Sequence, residues 1–243
     1  MNTFFSDTDG LIGFSLFGWL HLLTIAVLIL AVYLLYRFRF RLMKWRFREQ
    51  MRYLFAGIMF LNMTVYYGLK LYTGTWDFHV HLPLHFCFIS GYLFMYALVT
   101  NRKEMFHWLY FFAFAGPLPA ILLPDLTCGF DRFLYWQYFI SHHFFLIAVF
   151  YCLFVLQWRV ERKDIVPAII KANFVFLLVF LFNQLFHTNY IMTSTLPSHI
   201  LRLMPFLSHF QSPILLLELA GVASALFAYS FVLYDYNRRS VLS

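Results

Sequence analysis

The chain has 243 residues, 62% of them hydrophobic, 23% aromatic and only 12% charged. Soluble domains carry about 25% charged residues, and their single cores do not hide 33 Phe side chains, so an ordinary soluble domain is excluded. The net charge of +7 does not point to nucleic acid, because most Lys and Arg sit in short segments between apolar runs, where they signal membrane topology.

The apolar residues run continuously instead of alternating, which argues for helices and against a β-barrel. Seven runs are long enough, or nearly so, to cross about 30 Å of hydrocarbon. They fall at 14–36, 53–72, 83–100, 106–124, 134–157, 165–185 and 213–235. The first run follows an acidic start (Asp7, Asp9), and its length suits a spanning helix better than a cleaved signal peptide. The fourth contains "AGPLPAILLP", whose three prolines predict a kink or an early end. The connection 186–212, with Pro197 and Pro205, is long enough to lie on the membrane surface or dip into it. The expected fold is all-α: one seven-helix transmembrane domain over residues 1–243.

Basic residues set the expected orientation. Arg37, Arg39, Arg41, Lys44, Arg46, Arg48 and Arg52 follow the first run, Arg102 and Lys103 the third, and Arg159, Arg162 and Lys163 the fifth. Arg238 and Arg239 close the tail, and seven spans place all four segments on one side. The positive-inside rule makes that side cytoplasmic, leaving the N-terminus outside and the C-terminus inside, in a multi-pass protein of the cell membrane. His21, His79, His81, His85, His142, His143, His187, His199 and His209 then gather toward the outer leaflet, and only His107 belongs inside.

Cys87, Cys128 and Cys152 show no metal-type CxxC spacing, and two of them lie in apolar runs, so no disulfide framework is expected. With Pro83 at the first position of the third span, Cys87 lies about a turn inside it, and His142 lies about two turns into the fifth, which enters from the same side. An imidazole near a thiol can remove its proton, and the thiolate can attack a carbonyl. The competing reading of Cys87 is an inert small hydrophobe in a helix. His85, two residues away, points to a different face from Cys87 and is the poorer base. His81, His85 and His142 form an alternative zinc-type set. Asn62, Lys70, Asn183 and Glu218 need partners inside the membrane, and Glu218 is expected to orient a histidine or pair with Lys70.

Several of these residues lie in motifs of a known family. "LPLHFC" (82–87) resembles the LPLHxC signature of the YwaF-type bacterial integral membrane proteins, whose animal relative is transmembrane protein 164, a phospholipid acyltransferase. "FSLFGWLHLL" resembles that family's opening helix, with His21 at the matching histidine, and "GTWDFHVHLPLHFC" has its Gly-x-Trp approach. "FISHHFFL" resembles the helix carrying a histidine at His142, "NQLFHTNYIM" the N-x4-TNYM segment, and "SPILLLE" the start of the last helix. Phe88, where a polar residue is usual, and the region 197–212 depart from the pattern.

The resemblance implies a seven-helix bundle that moves acyl chains between membrane lipids, or hydrolyses phospholipid or glycerolipid acyl esters, near the outer leaflet without a cofactor or metal. It implies Cys87 as nucleophile and His142 as general base, with His21, His85, Asn183, Asn189, Tyr190 and Glu218 binding substrate, stabilising the oxyanion or supporting the site. The rival functions are a lipid or solute transporter or a non-catalytic partner subunit, and third a histidine-ligated metal enzyme. Unbroken helices with a cavity open only sideways would favour the enzyme over transport.

Overall fold

The computed structural model describes residues 3–5, 11–196, 198–209 and 213–240, with the side chains of 3, 198, 199 and 235–240 left aside. Asp7, Asp9 and Pro197 lie outside the described residues, as do the side chains of His199, Arg238 and Arg239. Ten α-helices are described: α1 (Trp19–Met43), α2 (Met51–Thr73), α3 (Phe78–His81), α4 (Phe86–Thr100), α5 (Lys103–Ala115), α6 (Pro117–Leu122), α7 (Phe133–Phe154), α8 (Ile165–Phe186), α9 (Ser198–Leu203) and α10 (Pro213–Ser240). No strand occurs among them, only an isolated antiparallel bridge between Gly13 and Cys128.

Six segments are long and apolar enough to cross a membrane, counting α5 and α6 together as Lys103–Leu122. The seventh apolar helix, α4, has only 15 residues. The expected proline break is present: α5 stops at Gly116, and Pro117 restarts the helix as its first residue, where its missing N–H costs nothing. The first span begins at Trp19 instead of residue 14, because Phe14 and Gly129 exchange backbone bonds with Thr127 and Ile12. Gly74 ends α2 in the left-handed conformation (φ 70°), which lets Thr75 N–H reach back to the Lys70 carbonyl.

α7 and α5 form the centre. Ala148, Val149 and Cys152 of α7 and Phe106, Leu109 and Tyr110 of α5 are almost fully buried. α1 and α2 pack on α7, α4 sits between α2 and α5, and α8 and α10 cover the other side of α5. The outer helices expose apolar side chains such as Ile29, Phe60, Ile170 and Leu226, the surface a lipid solvent requires. This is a multi-pass membrane protein.

The basic segments meet at one end of the bundle. Arg52 donates to the Leu98 carbonyl at 2.6 Å, and Tyr151 donates to the Arg48 carbonyl at 2.9 Å. His107 pairs with Asp164 there at 2.9 Å.

Candidate active site

Helix α4 has too few residues to cross the membrane: at 1.5 Å per residue it covers about 22 Å of the roughly 30 Å hydrocarbon. Its C-terminal turn is tied to the basic end through Leu98, so its first turn stops short of the opposite boundary. Pro83 belongs to the turn before α4, and His85 is the N-cap, so Cys87 is the second helical residue and not a turn inside. The N–H groups of Phe88 and Ile89 donate to the His85 carbonyl, whereas those of Phe86 and Cys87 make no backbone bond. The Cys87 thiol is free and partly accessible; Cys128 and Cys152 are free and buried.

A second helix break faces this one. Gly116, between α5 and α6, lies so near α4 that a Cβ there would stand 3.0 Å from Phe86 Cδ1 and 3.4 Å from the Cys87 nitrogen. Only a residue without a side chain allows that approach. Cys87 thus sits where two interrupted helices meet, the arrangement in which backbone polar groups are tolerated at membrane depth.

The loop after α8 fastens this junction. Asn183 is buried, and both ends of its amide are used: Nδ2 donates to the Tyr190 carbonyl (2.8 Å) and Thr193 Oγ1 (2.7 Å), while Oδ1 accepts from Thr188 Oγ1 (2.6 Å) and Tyr190 N–H (3.0 Å). The Tyr190 hydroxyl donates to the Phe78 carbonyl and accepts from Leu82 N–H at 3.0 Å, clamping α3 and the turn before α4. The His85 ring meets Tyr190 edge-on at 5.1 Å, and its Nδ1 receives Ile191 N–H at 3.5 Å. Ile191 reaches it with φ 58°, a left-handed value costly for a β-branched residue. Asn189 is spent on Thr195 and Ser194.

Several supporting assignments therefore change. Asn183 and Asn189 have no N–H left for an oxyanion and act as loop scaffold. His21 is buried and doubly bonded, with Nε2 donating to the Ile121 carbonyl at 2.7 Å and Nδ1 accepting Phe17 N–H at 3.0 Å; it joins α1 to α6. Glu218 pairs with neither a histidine nor Lys70; its Oε2 accepts from Asn173 of α8 at 3.2 Å. The His81–His85–His142 zinc set does not form: no group of three or more His, Cys, Asp or Glu suited to a metal ion occurs among the described residues. His81 Nδ1 is instead held by Asp77 N–H at 2.8 Å.

His142 differs from these. Its Nδ1 lies 2.7 Å from the Tyr138 carbonyl, so Nδ1 carries the proton and Nε2 presents its lone pair. Nε2 makes no hydrogen bond to a described residue. No hydrogen bond joins the ring to Cys87; the Tyr138 ring packs on that of His142 with centroids 4.4 Å apart, and the Tyr138 hydroxyl is within electrostatic reach of the thiol. That hydroxyl donates to the Ala120 carbonyl at 2.9 Å, tying α7 to α6. His143 faces elsewhere, donating through Nε2 to the Thr24 carbonyl at 2.8 Å.

The TMEM164 family model matches residues 13–229, most of the chain. The chain belongs to the TMEM164 family. A protein of Treponema pallidum (strain Nichols), described as uncharacterized, is 28% identical over 199 residues, covering 79% of this chain and 81% of its own. No solved structure matches the chain.

In this TMEM164-family protein, four site neighbours escaped sequence reading. Tyr67 of α2 has a buried hydroxyl without a partner, within electrostatic reach of Cys87 and packed on Phe88 at 5.9 Å. Asp125 lies within electrostatic reach of His85 and Tyr138. Gly116 and Tyr138 complete the set. Among 16 Tyr and 10 Gly, none of these carries a local signal; the "AGPLPA" run alone marked the break beside Cys87.

Proposed function

We propose that this protein is an acyltransferase of membrane glycerolipids, with Cys87 as nucleophile and His142 as general base. The observation that carries the reading is the His142 tautomer: the Tyr138 carbonyl fixes the proton on Nδ1 and leaves Nε2 as an acceptor on a ring packed against Tyr138. Family membership and the lipid-exposed apolar surface support it.

In the reaction, Nε2 takes the thiol proton as the sulfur attacks the ester carbonyl. The carbonyl oxygen becomes an oxyanion next to the N–H groups of Phe86 and Cys87, which make no backbone bond, at the α4 N-terminus, where the helix dipole favours negative charge. Collapse breaks the bond to the lysolipid oxygen, which receives the proton from Nε2, and leaves a thioester on Cys87. A second lipid hydroxyl, deprotonated by Nε2, attacks the thioester and restores the thiol; water in that role gives hydrolysis. Asn183, Tyr190 and His85 hold the α4 start in place, and His21 holds α6.

The transporter reading retains one of its expected signs, because α5 and α6 are interrupted. A cavity between α1 and α10 opens sideways, the form expected of an enzyme rather than a transporter. Incubation with an alkyne-tagged phosphatidylcholine, followed by peptide mapping, tests the proposal. A hydroxylamine-sensitive adduct on Cys87 that disappears in Cys87→Ala is expected; no adduct on Cys87 in active protein would overturn it.

A further inference from the structure

Helices α2 and α4 run antiparallel, and three contacts fix their register. Arg52, at the start of α2, donates to the Leu98 carbonyl near the end of α4. A Cβ at Gly91 of α4 would stand 3.1 Å from Met63 Cε and 3.9 Å from Met59 Cε. Farther along, the Tyr67 ring packs on that of Phe88 with centroids 5.9 Å apart. Tyr67 lies four residues after Met63, and Cys87 lies four residues before Gly91. Each therefore shares a helix face with one side of the Met63–Gly91 contact and stands one turn farther from the basic end. Tyr67 faces the start of α4 at the level of Cys87, and its hydroxyl is within electrostatic reach of the thiol.

A phenol has one proton to donate, and two other tyrosines in this neighbourhood have spent theirs. Tyr138 donates to the Ala120 carbonyl, and Tyr190 donates to the Phe78 carbonyl. The Tyr67 hydroxyl is buried and has no hydrogen-bond partner among the described residues. Such a group costs stability, and Phe in its place would remove the cost while filling nearly the same volume. A partner that forms only during the reaction accounts for it. That partner is an acceptor, because a phenol stays protonated at neutral pH. When Cys87 attacks an ester, negative charge appears on the former carbonyl oxygen, two bonds from the sulfur. In a low-dielectric site, one donor already aimed at that oxygen is worth far more than it would be in water.

We propose that Tyr67 is a catalytic residue of the acyl transfer: its O–H donates to the oxyanion formed when Cys87 attacks the ester, alongside the N–H groups at the start of α4. The inference deepens the acyl-transfer reading and rests on it for the identity of the nucleophile. In this step the S–C bond forms, the carbonyl π pair moves to oxygen and His142 takes the thiol proton. Tyr67 keeps its own proton throughout. Its hydrogen bond strengthens as charge grows on the oxygen and weakens as the carbonyl re-forms.

The test compares Tyr67→Phe with wild type, as full chains in phosphatidylcholine vesicles carrying the alkyne-tagged phosphatidylcholine. The maximal rate of Cys87 acylation should fall about 10²–10³-fold, the loss that follows removal of one oxyanion donor. The lipid concentration giving half that rate should stay nearly unchanged. Iodoacetamide, which alkylates a thiol by displacement at a saturated carbon and forms no oxyanion, should modify Cys87 at the wild-type rate. The melting temperature should hold or rise, since an unpaired buried hydroxyl has gone. A long-chain trifluoromethyl ketone, whose carbonyl takes a thiol to give a tetrahedral alkoxide, should bind the variant about 100-fold more weakly. Tyr72→Phe, exposed on the same helix, should change none of these readings. Wild-type acylation by Tyr67→Phe, or equal affinity of both proteins for the ketone, would overturn the proposal. So would a loss of acylation matched by an equal loss of alkylation or by a lower melting temperature, the signature of a structural tyrosine. A native protein that never acylates Cys87 would sink the nucleophile and this role together, whereas equal acylation in both proteins would sink the role of Tyr67 alone.

Discussion

The two ends of the bundle handle polar groups in opposite ways. At the basic end, permanent cations satisfy helix carbonyls: Arg39 donates to Tyr36, Arg48 to Met43 and Arg52 to Leu98, all at 2.5–2.6 Å. Guanidinium groups suit those sites because the carbonyl ends of α1 and α4 carry the negative pole of the helix dipole. At the histidine end the groups are neutral imidazoles, amides and phenols, and two helices are interrupted. One end anchors the protein largely with guanidinium groups on helix carbonyls. The other keeps groups that can trade a proton, and a few of them, such as His142 Nε2 and the Tyr67 hydroxyl, have no protein partner.

The contrast breaks most visibly at the pair itself. Cys87→Ala and His142→Ala should each abolish acyl transfer, with His142→Ala costing about 10²–10⁴-fold, while chromatographic behaviour and melting temperature stay near wild type. Removing the His142 side chain strands no carbonyl, because Tyr138 O keeps its helical partner, the backbone N–H of residue 142.

Gly116→Ala comes next. The added methyl would press on Phe86 and the Cys87 backbone, costing about 1–3 kcal/mol of stability. Displacing Phe86 and the Cys87 backbone by a few tenths of an ångström should slow Cys87 acylation by less than the about 100-fold that a 1 Å misplacement costs. Acylation at wild-type rates would show that the close approach of the two helix breaks is irrelevant to the chemistry.

Asn183→Leu should destabilise the protein by about 1–3 kcal/mol for each buried polar group it strands. Amide exchange should rise first over 187–196, with loss of acylation following from a displaced α4 start. Arg52→Ala sharpens the comparison from the other side: about 1.5–3 kcal/mol of stability lost with the charged hydrogen bond, and unchanged acylation per folded molecule.

The smallest effect concerns Asp77, an exposed carboxylate that caps α3. It is held below its usual range first by the backbone N–H of His79 and then by the His79 side chain. A lowered folded pKa means that its stabilisation is present above the unfolded value and lost as pH falls through the folded one. The difference in melting temperature between wild type and Asp77→Ala should therefore be small near neutrality and vanish in acid.

The positions of the spans were legible because membrane-facing helices are apolar almost all round, leaving runs that need no knowledge of neighbours. The break at Gly116–Pro117 was legible for a local reason too, the rigidity of proline. The start of α4 was misplaced by three residues, since Pro83 fits a turn as well as a first helical position, and the Tyr190 clamp on Leu82 decides between them. Cys87 and His142 stood out as rare chemistry in an apolar chain. The roles of Asn183 and Glu218 did not, because an amide or carboxylate in a membrane needs some partner and its identity depends on which helices touch.

Sequence alone determined that this is a helical membrane protein with cations at one set of loops and imidazoles at the other, since hydropathy and charge act residue by residue. Tertiary structure alone decided which polar groups are spent on scaffold and which keep an atom without a partner among the described residues. The 2.7 Å bond from His21 to the Ile121 carbonyl, far along the chain, leaves no trace in local composition, and it is what separates a structural histidine such as His21 from His142, whose bond is to its own helix.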